Sequence, residues 1–300
     1  MKSVSKDKAV YVYSKDLEPV LRVQPGETFE VETEDSFTAK FRKPEDWSQE
    51  TFDWVEHNSN PVTGPIYVEG AEPGDALAIK IDDVVCTSVG CVITSGLSYP
   101  SPLDWYAEPD GVWGLPIEDG HIVIDENLKV PIRPLIGCIA TAPERETYLS
   151  ILEGQYGGNM DCIEIGKGAT VVLPVYVKGG LIYMGDCKAI QADGEIIQPP
   201  EVSTKITCSV EVRKRNKPLS WPRIEKPDAI MTLASNKPLE LAAREAFKEM
   251  LSWLEEEYGF DRKKAAVLMG MVANASICQI GNTWYTAMCT MPTSYLKSGR

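Results

Sequence analysis

The segment "SNKPLELAAREAFKEMLSWLEEEYGF", residues 235–260, decides the fold class. Leu239, Ala243, Phe247, Met250, Leu254 and Tyr258 recur at helical spacing, which predicts an amphipathic helix with one apolar stripe. Asn236 or Ser235 is placed to cap it, Pro238 suits its first turn and Gly259 can end it. "DRKKAAVLMGMVANA", residues 261–275, predicts a second helix capped by Asp261. The chain before this pair has another character. "AVYVYS" (9–14), "ETFEVETED" (27–35), "ALAIKIDDVV" (76–85), "HIVIDE" (121–126), "ATVVLPVYV" (169–177), "EIIQPPEV" (195–202) and "ITCSVEVRK" (206–214) read as strands, and residues 1–234 carry no strong helix pattern. Pro-Gly and Gly-Asp pairs punctuate them; "TSGLS" (94–98) is loop-like. The tail "WYTAMCTMPTSYL" (284–296) returns to strand-like chain. Strands first and helices late predict an α+β protein, mostly β, rather than alternating α/β. No low-complexity linker interrupts it, so a single domain over residues 1–300 is expected, β-rich over 1–234 with the helical pair at 236–274 packed on it.

Composition bounds the function. Forty-four acidic against thirty basic residues give a net charge of −14. That argues against nucleic acid as a partner, and against an anionic membrane surface. The apolar runs are too short to cross a bilayer. The N-terminal residues show no secretory pattern, so a cytoplasmic protein is expected. The eight cysteines are scattered, with no CxxC and no zinc-finger spacing, as in a protein of reduced thiols.

One charged cluster needs an explanation. "GDCKAIQADGEI" (185–196) puts Asp186, Asp193 and Glu195 on a short segment hinged by Gly185 and Gly194, with Lys188 as its only cation. It follows Gly179, Gly180 and an apolar run. Upstream, "EGQYGGNMDCIEIGKG" (153–168) sets Asn159 and Asp161 two apart behind Gly157-Gly158, so both side chains share a face if the piece is extended. Acids delivered by glycine-rich approaches suit a hard or borderline cation. They equally suit a base and an orienting group for attack on a carbonyl. The bland alternative is solvated turns whose aspartates hydrogen-bond nearby backbone.

At these residues the chain resembles the acetamidase/formamidase family. The resemblance rests on "NPVTGPIYVEGAEPGDAL" (60–77), "RPLIGCIATAP" (133–143), "GGNMD" (157–161), "GDCKAIQADGE" (185–195) and the late "AFKEMLSWLEEEYGF" with "DRKKAA", in order over most of the chain. It implies a β/β/α sandwich-like fold, hydrolysis of short linear amides to a carboxylate and ammonia, and a homo-oligomer, dimer or tetramer. It also implies a bound divalent metal, zinc or calcium, activating the attacking water. Carried over residue by residue, the implied catalytic groups are Asn159, Asp161, Asp186, Lys188 and Glu69. Gly158 and Glu195 are implied at the substrate. Asp161, Asp186, Glu69 and His57 are the candidate metal ligands. Asp75 matches a Pro-Gly-Asp turn and is expected to be structural.

One departure is important. Many relatives carry His two residues after the second acid, where this chain has Lys188. A neutral imidazole binds metal; an ammonium repels it. Either a metal binds with fewer ligands, or the ammonium takes over part of its role. Cys162, beside Asp161, offers an amidase-like Glu-Lys-Cys set, but in an extended segment it points the other way. His121 begins a strand and reads as structural. No Gly-x-Ser-x-Gly supports a serine triad. The competing readings are a non-catalytic protein of the same fold that binds a small amide or a metal, and a hydrolase of a larger or cyclic amide.

Overall fold

The computed structural model describes residues 1–93 and 111–298. The loop reading of 94–98 lies outside the described residues. Two large sheets and a helical layer build the molecule, mostly β and α+β as the sequence predicts. One sheet has nine strands in the spatial order Lys2–Val4, Thr28–Thr33, Thr204–Arg213, Ala76–Cys86, Thr170–Pro174, Arg223–Glu225, Ala229–Asn236, Tyr285–Pro292 and Asn274–Gln279. The other has ten, and at its centre Ile182–Lys188 lies between Leu135–Ala140 and a second pair of neighbours, Val62–Val68 and Glu201–Val202.

Alternation along the strands explains how the sheets meet. Phe29, Val31, Ile79, Ile81, Ile206 and Cys208 from the first sheet pack into one core with Ile66, Ile136, Ile139, Ile182, Met184 and Cys187 from the second. The first sheet's other face carries Ile230, Ala234, Cys289 and Met291, which pack against the helices Leu239–Glu256 and Arg262–Val272. Sheet, sheet and helices therefore stack in three layers, each apolar face covered by the next.

Several local expectations change. The late helix buries Ala242, Ala246, Glu249, Met250, Trp253 and Leu254, a stripe rotated from the one marked by Ala243 and Phe247. The reason is a charge inside the stripe. Glu249 is buried because Arg223 comes to meet it, with Nη2 2.7 Å and Nε 2.8 Å from Glu249 Oε1. The same guanidinium lies 4.7 Å over the Trp253 ring. Counting apolar residues alone misses that face. The cap differs too: Pro238 occupies the N-cap, while Ser235 bonds Thr286 and Asn236 accepts from Lys237 N. Asp261 caps the second helix as expected, accepting from the backbone of Lys263 and Lys264. That helix ends at Val272, and the strand Asn274–Gln279 starts where helix was expected to 275. "EIIQPPEV" supplies only Glu201–Val202 as strand. A helix not expected, Gln49–His57, forms behind the Ser48 cap and buries Phe52 and Val55. No helix among the described residues is long and apolar enough to cross a membrane.

Replacing Arg223 with Met should leave Glu249 buried without its partner and destabilise the fold by about 3–5 kcal/mol. Denaturant unfolding at neutral pH reads this. A loss under about 1 kcal/mol would show that the pair is not what seats the helix.

Candidate active site

Two strands on either side of Leu135–Ala140, and the segments that follow them, bring the acids together. In Ile182–Lys188, Asp186 and Lys188 are two apart and share a face. Gly157–Asn159 pairs with Leu135–Ala140, which pairs in turn with Ile182–Lys188, so Asn159 and Gly185 both lie opposite Cys138. Asp161 follows directly, its backbone N–H and that of Met160 held by Gly137 O at 3.3 and 3.0 Å. Lys188 pairs across to Glu201. Glu195 is carried in by a turn stapled to the far sheet edge: Gly194 N donates to Cys278 O and Ile280 N to Gly194 O, both at 3.1 Å.

The result is one ammonium among four carboxyl groups. Lys188 Nζ lies 2.5 Å from Asp161 Oδ1, 2.6 Å from Asp186 Oδ2, and 3.8 Å from both Glu195 Oε1 and Glu201 Oε1. The lysine is 2% exposed, and all four acids are buried. Amides brace the carboxylates. Asn282 Nδ2 donates to Asp161 Oδ2 at 2.9 Å. In the orientation that satisfies both its ends, Asn159 donates to Asp186 Oδ2 at 2.7 Å and Asp161 Oδ2 at 3.1 Å, while its oxygen accepts from Asn282 and Asn60. Asn159 thus positions the acids, and its N–H groups are not turned to a substrate carbonyl. Gln191 Nε2 holds Asp161 O at 2.6 Å.

Burial opposes the lysine's charge, but Asp161 and then Asp186 outweigh it and hold its pKa well above the ordinary value. Burial is also the leading cause that raises Asp186, Glu195 and Glu201. Three carboxyl oxygens, Asp186 Oδ1, Glu195 Oε2 and Glu201 Oε2, have no hydrogen-bond partner. The backbone is unusual here. Asp161, Asp186 and Glu195 adopt φ of 45°, 53° and 40°, a region non-glycine residues avoid at a cost of about 1–3 kcal/mol each. Three strained acids in one cluster make this the candidate functional site. Gly137 admits the cluster: a Cβ there would sit 2.4 Å from Asp161 Oδ1, 2.5 Å from Lys188 Nζ and 2.6 Å from Asp186 O.

The cluster forms the floor of a cavity of about 330 Å³. Phe37, Phe52, Val55, Ile93 and Ile151 wall it, with Asn60, Gln198 and Asn282 between. Of the residues singled out in the sequence, Asn159, Asp161, Asp186, Lys188 and Glu195 converge here. Gly158 packs where a Cβ would strike Leu152 O at 2.3 Å, and it supports the strand next to the site. Glu69 lies elsewhere, partly exposed with Arg22 at 3.4 Å, and does not border the cavity. His57 is exposed at the helix end, its Nδ1 2.7 Å from Asp53 O, and does not border it either. Asp193 is exposed, and Asp75 serves its turn by accepting from Glu72 N.

Sequence reading missed Glu201, Asn282, Asn60 and Cys138 as members of the site. Cys138 Sγ lies 3.1 Å from the Asn159 amide and 3.5 Å from Asp186 Oδ2, but burial, then Asp186, push its thiol well up, so it is no ready thiolate. Cys162 is turned into the inter-sheet core, 3.7 Å from Met288 Sδ. The zinc or calcium ion implied by the resemblance finds no matching donor set. Among the described residues no three His, Cys, Asp or Glu side chains are disposed to hold a metal, and Nζ occupies the point on which the acids converge.

The Acetamidase/Formamidase family profile matches residues 2–118 and 139–294, which includes every residue of the carboxylate cluster. The chain belongs to the acetamidase/formamidase family. It is similar to an acetamidase from Bacillus halodurans, with a TM-score of 0.92, 31% identity and 98% of each chain covered. A predicted acetamidase/formamidase from Thermoanaerobacter tengcongensis gives a TM-score of 0.92 at 32% identity, covering 100% of this chain and 98% of that one. A formamidase of Methylophilus methylotrophus is 29% identical over 240 residues, a match spanning 60% of this chain and 58% of that protein. The match therefore covers under two thirds of that relative's length.

Two predictions follow from this geometry. Gly137→Ala should displace the lysine–aspartate contacts and lower kcat/KM by about 100-fold with native circular dichroism; wild-type turnover would show that the close approach is not required. Glu153, buried beside the site, accepts from Trp284 N, yet burial pushes it up to about 8. Between the unfolded value near 4.5 and about 8 the folded state binds the extra proton, so this residue makes stability fall as pH rises through that window. Glu153→Gln should flatten that part of the slope, read from denaturant midpoints at pH 5 and pH 8; an unaltered slope would contradict it.

Proposed function

We propose that the chain hydrolyses short linear primary amides, formamide- or acetamide-like, to a carboxylate and ammonia. The observation that carries this reading is the meeting of one buried ammonium with carboxyl groups left partly unpartnered, on the floor of a small cavity in a protein of this family. Amide hydrolysis needs three things: polarisation of the carbonyl, a base for water and a proton for the departing nitrogen.

The chain has a group for each. Lys188 donates to Asp161 Oδ1, Asp186 Oδ2 and, at 3.4 Å, Asp186 O, and its charge lies at the cavity floor, where it stabilises negative charge developing on the carbonyl oxygen. Asp161 and Asp186 fix that ammonium; Asn159 and Asn282 fix the two aspartates. Glu195 and Glu201 handle protons. Each stands 3.8 Å from Nζ with one oxygen unpartnered, and neighbouring acids disfavour ionising both. One, ionised, takes a proton from water as it adds to the amide carbon. The other, protonated, delivers one to nitrogen as the C–N bond breaks. The aromatic and aliphatic wall receives the acyl group and limits water around it. A cavity at the lower end of ligand-pocket sizes supports small substrates.

Two further readings accompany this. A cytoplasmic setting fits the acidic, thiol-rich composition. Homo-oligomer formation is supported by the exposed Val267 and Met271 on the last helix and Ile277 on the adjoining edge strand.

Purified protein should release ammonia from formamide or acetamide. Glu195→Gln and Glu201→Gln should each lower kcat by about 10²–10⁴-fold with the fold intact. Undiminished turnover in both variants would remove the proton-handling pair, and no release across a panel of linear amides would remove the activity.

A further inference from the structure

We propose that the Lys188 ammonium is the permanent cation of this site, so that the chain works its carboxylate cluster without a divalent ion, and that removing this one charge converts the cluster into a divalent-cation site. For its activity arm the inference rests on the amide-hydrolase reading; its metal arm stands apart from it.

A divalent ion gathers oxygen ligands at about 2.0–2.6 Å around one point. Here that point holds Nζ, with two carboxylate oxygens in hydrogen-bond contact and two more at 3.8 Å. An ion cannot share the position, and an ion beside it would be repelled by the ammonium and would compete with it for the same carboxylates. The ammonium is also locked. Its strand is central to the ten-stranded sheet, its side chain is 2% exposed, and Gly137 leaves the room it fills. Asp186 O lies a further 3.4 Å from Nζ. Swinging the chain out would strand four buried acids without a counter-ion, which is strongly unfavourable.

The same geometry says what the cluster becomes without the ammonium. Asp161, Asp186, Glu195 and Glu201, not disposed to hold a metal with the lysine in place, would surround a vacated point, on which the two glutamates must close from 3.8 Å; Asp186 Oδ1, Glu195 Oε2 and Glu201 Oε2 already lack partners. Carboxylates alone suit calcium; an imidazole delivered from position 188 adds the nitrogen that suits zinc. The single residue at 188 thus selects between an organic cation and a metal.

The experiment uses the full chain and three proteins: wild type, Lys188→His and Lys188→Ala. Metal content of the purified proteins is measured, zinc and calcium are titrated by calorimetry, melting is followed with and without each ion, and ammonia release is assayed before and after chelation. Wild type should carry no stoichiometric divalent ion, show no saturable uptake, and keep its turnover within about twofold after chelation. Lys188→His should take up one zinc per chain, and Lys188→Ala one calcium, each with a rise in melting temperature that wild type lacks. Wild type that purifies with one divalent ion per chain, and loses activity reversibly on chelation, would overturn the proposal. Variants that fold yet bind neither ion would overturn its second half. Should the variants not fold, the wild-type measurements decide alone. Wild type inactive on every amide sinks the hydrolase reading, while the metal measurements still judge this one.

Discussion

A lysine ammonium buried among four carboxyl groups is the constraint around which this molecule is arranged. Removing any of these charges from water costs several kcal/mol, and only close opposite charge offsets it. The chain meets that demand with contacts of 2.5 and 2.6 Å from Nζ to Asp161 and Asp186, and with amides that hold the aspartates from behind. It then accepts positive φ at three acids to aim them inward. Strain of that kind persists only where surrounding structure over-determines it. Here the over-determination is a sheet: the strands at 135–140, 157–159, 182–188 and 201–202 fix the relative heights of Gly137, Asn159, Asp186, Lys188 and Glu201.

The second sheet and the helices serve the same centre from a distance. The hairpin of Asn274–Gln279 and Tyr285–Pro292 belongs to the nine-stranded sheet, and the late helices pack on it. Its connecting loop reaches to the other sheet's site. There Asn282 grips Asp161, Trp284 N grips Glu153, and the parallel bridge of Gly194 with Gln279 seats the turn that delivers Glu195. The Arg223–Glu249 pair ties the late helix to the same nine-stranded sheet that supplies this loop.

Legibility in the sequence followed locality. Asn159 with Asp161, and Asp186 with Lys188, are two apart on extended chain, so period-two reasoning alone puts each pair on one face. Glycines next to those acids signalled unusual backbone. Glu201 and Asn282 gave no comparable signal, because sheet register and a hairpin loop bring them in from the flank of a Pro-Pro pair and from a segment resembling an ordinary turn. Glu69 and His57 show the converse. Each lies beside a motif in sequence, and the chain then turns it towards solvent. The helix at 49–57 has no clear sequence signature, because two buried residues over nine positions make a weak period. The late helix was plain, but its phase was hidden by the buried Glu249.

The central claim is that an ammonium, not a metal ion, occupies the focus of the carboxylates. A high-resolution crystal structure of the unmodified protein, with anomalous data collected at the zinc edge and at long wavelength for calcium, tests it most directly. The account predicts Lys188 Nζ between Asp161 and Asp186 and no anomalous peak among the acids. A peak bonded by Asp161, Asp186 and either glutamate, with Lys188 swung away, would contradict it.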